Sequence, residues 1–276
     1  MTVDDATLHS WRTALAEDPL GWDFSELRGY AEEDTPWRFD TVARNLAQVS
    51  HHLLDLGTGG GEFLSALADV TPDDTVATEG WAPNVPVATQ RLEPLGIEVV
   101  EYNPEAPGAS LPFAPGRFDL VLARHEAFDA ADVFRVLSPG GTFATQQVGA
   151  DDLVEVLEAF GLEPPYPEVT LQNIEREITS AGFRVERSDA FRGRAVFTDM
   201  ISFLRFLRRV PWIAPADLDV DRHRDVLEAI AQRIDDGPFE VGMSRFWLLA
   251  RTAEARTPPV TDFSKLLGET PDVPQV

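Results

Sequence analysis

Cysteine is absent from the 276 residues, which excludes disulfides, thiolate catalysis and cysteine-ligated metal. That absence is silent on compartment. No apolar run approaches membrane-spanning length, and the opening MTVDDATLHSWRT lacks the basic and then apolar pattern of a secretory signal, so a cytoplasmic location without membrane attachment is expected. Positive charge is scarce as well: 23 Lys and Arg stand against 47 Asp and Glu, a formal charge of −24. Such a surface repels phosphate backbones, which makes nucleic acid an unfavourable partner. RFLRRV (205–210) is the local exception, and it reads either as a solvated helix face or as a phosphate site.

What is present is the composition of an ordinary globular protein, 43% hydrophobic and 25% charged, with no internal repeat. The length favours one core domain with appended elements. HHLLDLG (51–57) reads as a buried strand and GEFLSALADV (61–70) as a helix. TVATEG (75–80), IEVVEYN (97–103), FDLVLARH (118–125) and TFATQQVG (142–149) read as further strands, with helices at 83–96 and 130–141 between them. This alternation calls for a doubly wound α/β fold with a mostly parallel sheet. Beyond residue 150 the rhythm loosens into helices at 151–160, 171–182, 196–210 and 222–235, a strand at 183–191 and a late strand at 242–253. The expected layout is a helical arm over 1–50, a main domain over 51–253 and a frayed tail over 254–276. Within the main domain, 51–150 forms one half and 151–240 holds helical insertions.

The segment LLDLGTGGGEFLSAL (53–67) packs four glycines into five residues between a strand and a helix. Glycine in such density costs entropy unless the backbone needs positive φ or close approach. Asp55-x-Gly57-x-Gly59-x-Gly61, with Glu79 ending the next strand, is near the dinucleotide fingerprint. Its third glycine falls one position early, however, and Glu62 stands where that fingerprint has glycine. No Lys or Arg stands nearby for a pyrophosphate. A nucleoside-like ligand without phosphates fits better, and S-adenosyl-L-methionine is such a ligand. A tight turn without any ligand is the alternative.

Four segments in order, LLDLGTGGGEF, the acidic strand end at Glu79, LPFAPGRFDLVLARH and FRVLSPGGTF, resemble the class I S-adenosylmethionine-dependent methyltransferases, specifically the group with a type 11 methyltransferase domain. The resemblance covers roughly residues 40–150. It implies a Rossmann-like sheet of seven strands whose last runs antiparallel, with GMSRFWLLARTA (242–253) as the candidate. It also implies that Asp55, Gly57, Thr58 and Gly59 line the methionine and ribose side of S-adenosylmethionine. Glu79 would take the ribose hydroxyls, with Gly80 and Trp81 beside it, and Asn103 would lie near the adenine. The helix at 196–210 falls where related enzymes carry a substrate lid, and Trp37 with Arg38 could close over the cofactor's carboxylate.

The implied reaction is transfer of a methyl group to a small organic acceptor at O, N or C by in-line displacement. His125 and Glu126, ending the fourth strand, are the candidate catalytic residues: His125 to take a proton and Glu126 to orient it or to bind an amine. A histidine bonded only to the loop backbone is the structural alternative. No metal site is expected, because adjacent residues of a strand face opposite sides. Modification of RNA and non-catalytic binding of S-adenosylmethionine remain alternatives, and oligomeric state is open.

Overall fold

The computed structural model describes residues 3–17, 22 and 24–254, so the expected tail lies almost wholly outside the described residues. Strand β2 (His52–Leu56) shows why the sheet is central. Leu53 packs with Leu64, Leu120 and Leu122 on one face, while Leu54 packs with Val121, Phe143 and Ile178 on the other. A run apolar on both faces can sit only in the middle of a covered sheet.

Five strands run parallel: β2, β3 (Asp74–Glu79), β4 (Glu98–Glu101), β5 (Phe118–Arg124) and β6 (Leu137–Val148). Strand β8 (Phe239–Arg251) pairs antiparallel with both β6 and β7 (Arg184–Phe197). The expected seven strands and the antiparallel late strand are thus present. An eighth, β1 (Tyr30–Glu32), comes from the arm and pairs antiparallel with β7, giving the order β1-β7-β8-β6-β5-β2-β3-β4. The arm is therefore not purely helical. Three residues with one half-buried side chain carry too little pattern to announce a strand.

Helices α2 (Phe39–Ala47), α3 (Glu62–Ser65) and α4 (Val85–Leu92) cover one sheet face; α5 (Ala130–Val136) and α7 (Leu171–Ala181) cover the other. A third apolar cluster joins α1 (Asp5–Ala16), α6 (Val154–Phe160), α8 (Met200–Arg209) and α9 (Arg224–Asp235) to the extended ends of β7 and β8 through Trp11, Leu157, Phe197, Phe203 and Phe239.

Two helices are shorter than their patterns suggest. After Ser65 the chain tightens into three-residue turns, with Leu67 N–H bonded to Leu64 O and Val70 N–H to Leu67 O. Helix α5 stops at Val136, and Leu137 already lies in β6, ahead of the helix-stopping Pro139 and Gly140. No helix among the described residues is long and apolar enough to cross a membrane.

Candidate functional site

All five parallel strands present their carboxyl ends on one edge, the edge where open α/β sheets take ligands. There β2 runs into the glycine loop. Gly57 and Gly59 have φ of 63° and 64°, a region L side chains avoid, which answers why glycine is needed at those two positions. The loop is pinned to β3: Thr58 N–H donates to Thr78 O at 2.8 Å, and Gly59 N–H donates to Glu79 Oε2 at 2.7 Å. The other Glu79 oxygen accepts from Trp81 N–H at 2.8 Å. Burial raises the Glu79 pKa against the pull of these donors.

Above the glycines the space is taken by side chains from elsewhere. A Cβ on Gly57 would run into the Glu126 carboxylate, and a Cβ on Gly59 would lie 2.6 Å from Trp22 Cδ1. A narrow notch between Gly57, Thr78, Tyr102, Pro104 and Glu126 continues this space toward β4. Both covering side chains reach the loop from other segments of the chain. The two Glu79 oxygens accept the Gly59 and Trp81 N–H groups, the Gly80 N–H adds to their pull, and acceptor capacity remains for a hydroxyl. The seat therefore suits a ligand with a diol and an extended polar arm.

The sequence-derived residues divide as follows. Asp55, Thr58 and Glu79 are buried at the loop, and Asp55 is lifted to about 7 by burial, against the pull of Thr58 and Arg124. Gly80 lies against the Asn103 backbone, where a Cβ would come within 2.9 Å of Asn103 Cα, so the ends of β3 and β4 touch. Asn103 Oδ1 accepts from Glu105 N–H at 2.9 Å, and Trp81 is an exposed indole whose backbone N–H serves Glu79. Arg38, named beside Trp37, turns outward into an ion pair with Asp40 at 2.9 Å. The histidines His51 and His52 bond Asp119 and Asp74 at the far end of β2.

His125 and Glu126 diverge. The backbone of His125 takes φ 60°, uncommon for a residue with a side chain and costing on the order of 1 kcal/mol, and its N–H donates to Gln146 O at 2.8 Å. The ring of His125 is reached by solvent on one side and meets Gln146 Nε2 through its own Nε2 at 3.0 Å. Gln146 Oε1 in turn accepts from Trp37 Nε1 at 2.8 Å, a buried bond. Desolvation in this cleft, with the charges of Arg245 and Arg124, holds the His125 pKa well below its ordinary value. Glu126 instead lies over Gly57. Burial and the nearby carboxylates of Glu79 and Glu105 push it up to about 8.

Beside His125, the buried Arg245 bonds Asp152 at 2.6 Å and Glu32 at 2.9 Å; burial opposes its charge, and those carboxylates raise its pKa nonetheless. Trp37 bonded to Gln146, Trp22 over Gly59, and Arg245 are features that sequence reasoning did not assemble. The density of aromatics in residues 22–39 was the available signal. Among the described residues, no group of three His, Asp or Glu could hold a metal ion.

Residues 54–145, which span the glycine loop, Glu79, the end of β5 and most of β6, match the family described as methyltransferase domain. The chain is 26% identical over 118 residues to the ubiquinone/menaquinone biosynthesis C-methyltransferase UbiE of Pseudoalteromonas translucida (strain TAC 125), covering 38% of this chain and 45% of that protein. The chain thus spans less than half the length of that curated relative. Among solved structures, a presumed methyltransferase of Bacillus halodurans C-125 superposes with TM-score 0.54 at 17% identity, over 84% of this chain and 99% of the other. The [4+2]-cyclase SpnF superposes with TM-score 0.51 at 14% identity, over 89% and 93%. These structures show a shared fold.

Proposed function

We propose that this methyltransferase-domain chain is an S-adenosylmethionine-dependent methyltransferase of the cytoplasm, moving a methyl group to a small organic acceptor by in-line displacement. The observation that carries the reading is the seat at residues 57–59: two positive-φ glycines covered only by the side chains of Glu126 and Trp22, beside a buried Glu79 whose oxygens retain acceptor capacity. When bound, S-adenosylmethionine supplies an electrophilic methyl on a cationic sulfur.

The chain's own residues supply placement and field. Asp55, Gly57, Thr58 and Gly59 receive the methionine and ribose portion, Glu79 the ribose hydroxyls, and Gly80, Trp81 and Asn103 the adenosine side. Glu126 and Trp22 leave the glycines to admit it. Carboxylates at 55, 79 and 126 surround the seat, and a cation entering it favours their ionised forms. The acceptor lies toward His125, at the ends of β5 and β6. Catalysis then rests on holding the two partners in attack geometry and excluding water.

RNA is the weaker acceptor. The basic cluster of α8 is engaged within the molecule, since Arg205 makes two 2.7 Å bonds to Glu17, and the formal charge of −24 opposes a phosphate backbone. The fold alone also serves a [4+2]-cyclase, so turnover must be tested directly. Calorimetric titration with S-adenosylmethionine and, separately, with NAD is the deciding measurement, repeated on Glu79→Ala and Gly59→Val. Binding of the sulfonium compound that both substitutions abolish is expected. Absence of binding, or preference for NAD, would overturn the assignment.

A further inference from the structure

The side-chain chain Trp37, Gln146, His125 fixes where protons sit. An indole nitrogen can only donate, so the Gln146 atom facing Trp37 must be its oxygen. That leaves the Gln146 amide group facing His125 Nε2, and an amide N–H requires an acceptor there. Nε2 is consequently unprotonated and the neutral ring carries its proton on Nδ1. Gln146 cannot turn over to receive a proton on Nε2 without leaving the Trp37 N–H, inside the fold, facing a second donor. Among the described residues nothing accepts from Nδ1, and solvent reaches this ring. The strained backbone of His125 holds the ring in this place at the end of β5.

We propose that His125 is a hydrogen-bond donor and not a base: its Nδ1–H holds a carbonyl-type or anionic oxygen of the methyl acceptor, and Gln146 and Trp37 are positioning residues that lock this tautomer. This rests on the methyltransferase reading and narrows it to acceptors that carry such an oxygen near the methylated atom. The guanidinium groups of Arg124 and Arg245, the charges that act on His125, favour the same kind of oxygen. Arg245 is already paired with Asp152 and Glu32, whereas Arg124 lies over the Phe63 ring, 5.1 Å from its centroid, on the solvent side. An acceptor that arrives as an enolate or phenolate needs no proton removed: its new bond to the methyl carbon forms as the carbon–sulfur pair returns to sulfur. Both charges are cancelled.

The test reads the ring nitrogens by long-range 1H–15N correlation in histidine-labelled protein, with His125→Asn identifying the signal. The wild type is expected to show a neutral ring protonated on Nδ1. Gln146→Glu keeps an acceptor for Trp37 but presents an acceptor to Nε2 as well. It should place a proton on Nε2 and raise the titration midpoint of His125 by about one pH unit or more. Added 4-nitrophenolate should shift the Nδ1 signal and bind about tenfold more weakly to His125→Phe, whereas 4-nitroanisole should show no such difference.

A wild-type ring protonated on Nε2, an unchanged ring in Gln146→Glu, or equal treatment of the two probes overturns the proposal. Calorimetry with S-adenosylmethionine on the same samples keeps the two readings apart. If the wild type binds the cofactor and His125 fails its test, only the role of His125 falls; if the wild type does not bind it, the methyltransferase reading falls.

Discussion

Glu126 and Gly57 contest one place: the volume that any side chain on residue 57 would fill is held by the Glu126 carboxylate. The contact joins the end of β5 to the loop after β2, and it ties the seat to a titrating group. Between its ordinary value of 4.5 and about 8, Glu126 keeps its proton in the fold and loses it in the unfolded chain. The folded state then binds more protons, so stability falls as pH rises through this window. Glu126→Gln should remove that decline, its advantage over wild type growing by up to on the order of 1 kcal/mol per pH unit. Asp55, shifted in the same direction to about 7, keeps part of the slope. Denaturant titrations across the window check this; parallel curves for the two proteins would refute it.

On the proposed reading, a cofactor seated on Gly57 would displace Glu126 and bring a cation near it, which favours the ionised carboxyl. Binding should therefore release protons and tighten as pH rises toward about 8. Calorimetry in two buffers of different ionisation enthalpy measures the proton count, and Glu126→Gln should reduce it. An unchanged count would show that Glu126 stays protonated in the complex.

Gly57→Ala and Gly59→Ala each force a side chain into positive φ and into Glu126 or Trp22. Each should cost about 1–3 kcal/mol of stability and lower cofactor affinity at least about tenfold. Gly96→Ala, also at positive φ but with open space around it, should cost similar stability and leave affinity unchanged. Thermal melts and calorimetry separate the two effects.

Glu79→Gln retains one acceptor oxygen for two backbone donors, those of Gly59 and Trp81. A loss of about 1–3 kcal/mol in stability is expected from the donor left unpaired. Cofactor binding should weaken further in Glu79→Ala than in Glu79→Gln, because only the amide still accepts from a hydroxyl. Equal affinities would remove Glu79 from the ribose.

Arg245→Ala leaves Asp152 without its cation inside the fold, and should destabilise by about 3–5 kcal/mol. Asp152→Asn restores part of that loss in the double variant. Urea titrations of the four proteins give the coupling.

The parallel core was legible because its strands are apolar on both faces and its turns are marked by glycine and proline. Leu53 and Leu54 needed no partner to be read as buried. The glycine loop and Glu79 were legible for a related reason, since backbone chemistry and a strand-end carboxylate leave local traces. The Trp37–Gln146–His125 chain was not, because three residues from three separate segments meet only when the sheet is assembled. Nor could the pattern show that His125 adopts positive φ. Strand β1 escaped because its pairing partner, not its own residues, makes it a strand.

That pairing orders the protein's birth on the ribosome. Strand β1 pairs in the sheet with β7, β7 reaches the rest of the sheet through β8, and β8 ends at Arg251. Strand β1 is synthesised well before β7 and β8, so its place in the sheet exists only after those strands have emerged. Until then Tyr30 lacks Phe197 beneath it, and its aromatic neighbours stand in water. A strand made early thus waits for its partner, and until β7 and β8 emerge the residues of β1 have no sheet to join.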